Sequence, residues 1–261
     1  MKRWKNFLLM LLIILALLLT FSDPILEAVR PYVWDFREHT GAENQVYFYA
    51  LTHGLSYSDY PASLIELLER NPETEAFVLC YPLREEVEYD LSEFEGSEAV
   101  PLFLQWDTRW GYETYGSDLL AITGCGPTCL AMVGYYLTGD DWYTPENLAD
   151  YAQRNGYYSP GNGTSWTFFS RGAVELGFDV TEIPLVEKRI RDNLEVGNPI
   201  ILNVGPGDFT ATGHYIVLTG MRDGLFCVND PNSRCNSETL WSYDDLAPQI
   251  RNLWVIRKLN G

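Results

Sequence analysis

The chain has 261 residues, enough for one sizeable domain and an additional segment. Its formal net charge is -18, and a chain this acidic repels a phosphate backbone, which argues against a nucleic-acid-binding protein. Hydrophobic residues make up 46% of the sequence, so a well-packed globular core can form.

The first 22 residues have the pattern of an export signal. The basic start MKRWK precedes an apolar run at 7–21, an order typical of a signal peptide or signal anchor. The run is shorter than the about 20 residues that a membrane-spanning helix needs. No Ala-x-Ala cleavage site follows, so cleavage and retention as a membrane anchor both stay open. Either outcome places the protein outside the cytoplasm, in the extracellular space or on the outer face of the cytoplasmic membrane.

Residues 23–99 predict a peripheral segment with one helix and an acidic linker. Apolar residues at helical spacing in SLIELLER (63–70) indicate the helix, and the Asn71-Pro72 pair ends it. The dense acidic run at 85–100 is typical of a solvated linker. We therefore expect the compact domain to occupy residues 100–261.

The domain shows helical patterns first and strand patterns afterwards. Capping residues and apolar spacing predict helices at 127–137, 144–156, 165–176 and 186–197. Apolar, β-branched runs predict strands at 198–205, 214–221, 224–230 and 252–259. Helices followed by an antiparallel sheet define the α+β fold class.

The stretch GCGPTCLAM contains two cysteines with different surroundings. Cys125 stands immediately before the predicted helix, where the helix dipole favours the reactive thiolate, and Gly126 would leave the approach to it open. Cys129 lies one turn further among apolar residues and is interpreted as a core residue. The cysteine count of 5 is odd, so at least one is free or pairs between chains. Cys227 and Cys235 flank a turn-rich loop and could form a disulfide or stay unpaired.

A thiolate nucleophile needs a general base and acid, and His214 is the only plausible histidine for this role. It follows a Gly-rich loop, which we interpret as flexible, and begins an apolar strand. If that strand forms a hairpin with 225–229, either Asn229 or Asp230 lies beside the imidazole and could orient it. Alternation along a strand lets only one of the two point towards His214, and the pattern does not choose between them.

An acyl-transfer site also needs hydrogen-bond donors for the developing oxyanion. The backbone N–H of Cys125 is one candidate, and Gln105 in FLQWD is a candidate for the second. A metal centre is disfavoured because the chain has only 3 histidines and no Cys-x-x-Cys. No cofactor is predicted.

Four motifs together resemble a known family: Gln105 in VPLFLQWDTRWGY, Cys125 in GCGPTCLAM, His214 in GHYIVL and Asp230 in VNDP. They are similar to papain-like cysteine peptidases related to the bacteriocin leader peptidases that cut after double glycine. The similarity is greater to exported, single-domain relatives in Gram-positive bacteria, and it covers about residues 100–257.

The resemblance implies a papain-like fold with N-terminal helices packed on an antiparallel β-sheet. It implies that Cys125 is the nucleophile and His214 the base and acid. Asp230, rather than Asn229, would orient the imidazole, and Gln105 would help to form the oxyanion hole. The Gln of the leader peptidases lies closer to the Cys than in this chain.

The sequence thus predicts an exported cysteine peptidase or amidase that forms a covalent acyl-enzyme and takes a peptide or protein substrate. One alternative is a catalytically inactive module of the same fold that binds peptides or glycans, for which Tyr215, Trp166 and Phe209 would matter most. Another is an acyl transferase of the transpeptidase or transglutaminase type. The motifs specify neither the substrate sequence nor the oligomeric state.

Overall fold

The structure is a computed structural model that describes residues 34–161 and 163–259. The predicted export signal at 1–22 lies outside the described residues. The chain forms two compact units that meet in sequence at Gln45 and Val46, and the site lies within the second. Among the helices of the described ranges, none is long and apolar enough to cross a membrane.

The described part of the segment before residue 100 contains three α-helices, where we expected one. They are α1 (Gly41–His53), α2 (Ala62–Arg70) and α3 (Glu75–Leu79). Helix α2 buries its predicted apolar stripe and has Asn71 as its C-cap residue, and the Asn71 side chain caps the short 3₁₀ turn Pro72–Thr74. In the acidic run, Leu91 is fully buried in the core of the second unit, so part of this run packs instead of being solvated.

The remaining helices of the described residues are α4 (Leu120–Thr123), α5 (Cys125–Thr138), α6 (Pro145–Arg154), α7 (Ala173–Glu175), α8 (Glu187–Glu195), α9 (Arg234–Glu238) and α10 (Tyr243–Leu246). The strands are β1 (Thr114–Tyr115), β2 (Asp118–Leu119), β3 (Tyr158–Ser159), β4 (Gly163–Thr164), β5 (Phe178–Glu182), β6 (Ile200–Val204), β7 (His214–Arg222), β8 (Leu225–Asn229), β9 (Leu240–Trp241) and β10 (Ile250–Lys258).

A six-stranded antiparallel sheet forms the centre of the domain, in the order β5-β10-β6-β7-β8-β9. One face packs against α5 through residues such as Ile201 and Val217, with α6 packed on α5, and the other face packs against α8 through residues such as Leu202 and Ile216. Burial of both faces explains why these strands are continuously apolar in sequence instead of alternating. The predicted α+β fold class is confirmed.

Several elements differ from the sequence prediction. The segment predicted as a helix at 165–176 is helical over 167–175, but its centre, Phe168–Gly172, is π-helical and only the short α7 follows it. Strand β5 at the sheet edge was not predicted. The hairpin of β7 and β8 forms as expected, and its turn residues Asp223 and Gly224 have φ angles of 54° and 78°.

Candidate active site

Cys125 is the first residue of α5 and is partly buried. The following turns of α5 are held in the core by fully buried side chains, among them Leu130 and Met132, so the position of the helix start is fixed by packing. Cys129 lies one turn further in and is fully buried, which raises the pKa of its thiol. The two cysteines of GCGPTCLAM therefore have separate environments, as the sequence pattern indicated.

The interpretation of Gly126 as a residue that leaves space for substrate is wrong. Gly126 is buried, and a Cβ at this position would lie 2.5 Å from Thr164 Oγ1 and 2.6 Å from Thr164 Cβ. Thr164 itself has little freedom to move, because its hydroxyl is 2.9 Å from the Tyr115 hydroxyl and its carbonyl accepts from the Tyr215 hydroxyl at 2.9 Å. Glycine is required here so that α5 can approach β4 closely.

A Gly126→Ala variant is expected to be destabilised by about 1–3 kcal/mol, the range typical of overpacking in a close-packed interior. Urea unfolding followed by tryptophan fluorescence measures the change. Gly220→Ala is the matched control, because a Cβ there meets no atom within 4 Å. Equal midpoints for the two variants would contradict the packing role of Gly126.

His214 is the first residue of β7 and is only 7% exposed. Its Nε2 lies 2.7 Å from Asp230 Oδ1. Burial alone lowers the pKa of this imidazole, but the charge and hydrogen bond of Asp230, with a further contribution from Cys125, raise the pKa of His214 to about 10. Since Nε2 is occupied by Asp230, Nδ1 is the ring nitrogen that remains for Cys125.

Of the two candidates for orienting His214, Asp230 contacts the imidazole and Asn229 does not. The Asp230 carboxylate is 1% exposed. The Asn229 amide instead donates to the carbonyl oxygens of Val100 and Pro101 at 3.1 and 2.9 Å. Asn229 is the last residue of β8, and these two hydrogen bonds connect that strand to the beginning of the domain.

Gln105 is buried and lies at the edge of the groove that also contains Cys125 and His214. Its Nε2 donates to the Ala121 carbonyl at 2.7 Å. The second N–H of this amide has no acceptor among the described residues, and Gln105 Oε1 is buried without a partner there. An amide donor with a free N–H beside a nucleophile can stabilise an oxyanion.

The groove has a volume of about 820 Å³ and two walls of different origin. One wall is the exposed side of α2, including Glu66 and Arg70, which sequence analysis did not connect with the site. The loop 207–213 forms another part of the lining. No signal in the sequence relates α2 to this groove, because their contact depends on the tertiary fold.

The loop before His214 is held by hydrogen bonds and by aromatic packing, although we interpreted it as flexible. Asp208 N donates to Gln249 Oε1 at 2.7 Å, and Gln249 Nε2 donates to Asp208 Oδ2 at 2.6 Å. Phe209 is buried and packs on Trp241, with ring centroids 4.6 Å apart. The loop thus reaches His214 in a defined conformation.

The aromatic residues considered for a binding module have different environments. Phe209 and Tyr215 are buried, and their rings are used in packing, whereas Trp166 is 47% exposed.

Cys227 and Cys235 are both free thiols in the structure. Within the described ranges, no group of three or more His, Cys, Asp or Glu side chains is arranged to hold a metal ion.

A partly buried thiol at a helix start, an imidazole that lines the same groove and a buried carboxylate that contacts the imidazole are the components of nucleophilic catalysis by cysteine. Comparison with known proteins agrees with this class. The model of the Peptidase_C39 like family matches residues 97–258. The chain belongs to this family. The sequence motifs had indicated a papain-like fold and a relation to the bacteriocin leader peptidases. Membership of the family supports a peptidase function.

Solved structures that are similar to the chain include two ComA peptidase domains and a C39-like peptidase. The peptidase domain of Streptococcus ComA, a bifunctional ABC transporter involved in a quorum-sensing pathway, is 21% identical over 61% of this chain and 98% of that chain, with a TM-score of 0.43. The same domain of Streptococcus mutans ComA, in complex with a small-molecule inhibitor, is 20% identical over 38% of this chain and 78% of that chain, with a TM-score of 0.30. A C39-like peptidase from Bacillus anthracis is 15% identical over 62% of this chain and 96% of that chain, with a TM-score of 0.37. A search of curated proteins finds no match.

Proposed function

We propose that the protein is an exported cysteine peptidase that cleaves peptide bonds through a covalent acyl-enzyme on Cys125. The observation that carries the proposal is that Cys125 and His214 line one groove, with the buried Asp230 carboxylate 2.7 Å from His214 Nε2. Export is supported by the basic and apolar pattern of residues 1–22.

In the first half of the reaction, the Cys125 thiolate attacks the carbonyl carbon of the substrate. Charge develops on the carbonyl oxygen, where the backbone N–H of Cys125 and the free N–H of the Gln105 amide can donate hydrogen bonds. The His214 imidazolium then gives its proton to the leaving nitrogen as the C–N bond breaks. The products are a free amine and a thioester on Cys125.

In the second half, neutral His214 takes a proton from water, and the resulting hydroxide attacks the thioester carbonyl. The C–S bond breaks, the carboxylic product leaves, and the thiolate and imidazolium form again. Asp230 keeps the ring in one orientation and stabilises its positive charge throughout. This role agrees with the contribution of the Asp230 carboxylate to the raised pKa of His214.

Selective alkylation of Cys125 tests the proposal without a known substrate. At pH 6, iodoacetamide is expected to modify Cys125 at least about tenfold faster than the exposed Cys80 and Cys235, since an ordinary thiol with a pKa of ~8.5 is almost fully protonated there. Peptide mass spectrometry measures each cysteine separately, and a His214→Ala variant should lose the difference. Equal rates for Cys125 and Cys235 in the wild-type protein would exclude an activated thiolate and with it this function.

A further inference from the structure

The carboxylate of Asp230 is held by two residues of the segment that follows it, in addition to His214. Its Oδ1 accepts from the Asn232 backbone N–H at 2.8 Å, and its Oδ2 accepts from the Asn236 side-chain amide at 2.8 Å. Asn232 lies in the turn after β8, and Asn236 lies on α9. The orientation of Asp230 therefore depends on where this turn and α9 lie.

Glu73 holds the start of α9 from outside the matched family region. Its Oε1 accepts from the Ser233 hydroxyl at 2.7 Å, and its Oε2 accepts from the Arg234 backbone N–H at 2.8 Å. The same Ser233 hydroxyl oxygen accepts from the Asn236 backbone N–H at 3.1 Å. A continuous series of hydrogen bonds thus runs from Glu73 through Ser233 and Asn236 to Asp230.

The position of Glu73 is itself fixed by its neighbours. The Glu73 backbone N–H donates to Asn71 Oδ1 at 3.1 Å, and the buried Asn71 amide donates to the Asn232 carbonyl at 2.6 Å. Trp106 Nε1 donates to the same carbonyl at 2.9 Å. The segment 71–73 is therefore joined to the turn after Asp230 through both Asn71 and Glu73.

We infer that Glu73 is a positioning residue for the Asp230–His214 pair, supplied by the chain that precedes the family domain. The inference rests on the proposed function, because it assigns Glu73 a part in that reaction. Glu73 does not line the groove, so it acts on the imidazole only through Ser233, Asn236 and Asp230. A carboxylate that accepts from a hydroxyl and a backbone N–H forms stronger hydrogen bonds than a neutral acceptor would.

The test is the alkylation rate of Cys125 at pH 6 in full-length Glu73→Ala and Glu73→Gln variants. Loss of Glu73 should slow alkylation by about fivefold or more, the effect of at least one lost hydrogen bond. Gln keeps an acceptor for Ser233 and should be affected less than Ala. With a peptide substrate, kcat should fall while KM stays unchanged, because Glu73 does not contact the groove.

Two internal controls separate positioning from unfolding. Cys129 is fully buried and becomes reactive only when the domain opens, so it should stay unmodified in each variant. The matched control is Glu85→Ala, which removes an exposed carboxylate from the same segment and should leave the Cys125 rate unchanged. If Glu73→Ala does not fold, Ser233→Ala tests the same series, because it removes the hydroxyl that joins Glu73 to Asn236.

The outcomes distinguish this inference from the proposed function. Slower alkylation of Cys125 with Cys129 still protected supports the positioning role. The positioning role of Glu73 alone is overturned if Cys125 of the wild-type protein reacts faster than Cys235 but its alkylation rate is unchanged in both Glu73→Ala and Ser233→Ala. A wild-type Cys125 that reacts no faster than Cys235 overturns the proposed function and the inference together.

Discussion

Replacing Cys125 by alanine is expected to reduce peptide hydrolysis by at least about a thousandfold, because loss of the nucleophile in a catalytic triad removes most of the rate enhancement. The fold should survive the change. Cys125 is only partly buried at the helix start, and α5 is held by the fully buried side chains beyond it. A library of internally quenched fluorogenic peptides measures hydrolysis, and thermal unfolding measures stability.

Cys80→Ala is the matched control for this prediction. It makes the same chemical change at an exposed free cysteine that does not line the groove, so hydrolysis should equal that of the wild-type protein. A Cys125→Ala variant that keeps wild-type turnover would show that another group performs the attack. Loss of turnover in both variants would point to a general effect of thiol removal instead of a nucleophilic role for Cys125.

Removing Asp230 should have the second largest effect, with kcat for peptide hydrolysis reduced by roughly 10²- to 10⁴-fold in Asp230→Ala. The variant leaves His214 Nε2, the Asn232 N–H and the Asn236 amide without their shared acceptor. The ring then loses both its fixed orientation and the charge that stabilises the imidazolium.

Asp230→Asn separates the charge of Asp230 from its hydrogen bond. Asparagine can still accept from His214 Nε2, but it lacks the negative charge that raises the pKa of His214 against the effect of burial. The pKa of His214 should therefore fall, and the imidazolium should lose its proton at lower pH. We expect the alkaline limb of the kcat/KM profile to move to lower pH, with a smaller loss of kcat than in Asp230→Ala. An unchanged alkaline limb would contradict the electrostatic role of Asp230.

Local signals in the sequence predicted the elements that carry the candidate residues. Thr144 caps α6 by accepting from the Asn147 backbone N–H, and Pro145 occupies the first turn, as the TPEN pattern indicated. The apolar runs became strands because the sheet buries them on both faces. These signals depend on residues close in sequence, which is why periodicity and capping rules detect them.

The choice between Asn229 and Asp230 could not be made from strand alternation, and the structure gives the reason. Strand β8 ends at Asn229, and Asp230 lies beyond it in an isolated bridge with Ser233. The alternation of side chains along β8 therefore does not govern the direction of Asp230. Only the resemblance to a family favoured Asp230, and its catalytic role stays a prediction.

The segment predicted as a helix at 165–176 is helical in the structure, but its π-helical centre, Phe168–Gly172, was not predicted. Phe168 and Phe169 are adjacent and both fully buried. Adjacent buried residues also occur in the regular helix α5, at Leu130 and Ala131, so this pattern does not distinguish the two helix types. The contact of Glu73 with Ser233 spans 160 residues, and no local pattern can reveal a pairing at that separation.

The fixed conformation of the loop before His214 affects how a substrate would bind. Because the Asp208–Gln249 bonds and the Phe209–Trp241 packing already fix this wall of the groove, a peptide meets an ordered surface. The conformational entropy lost on binding then comes mainly from the peptide, since the enzyme has been preorganised during folding. Peptides already constrained in their bound conformation, by proline or cyclisation, should gain most from such a groove.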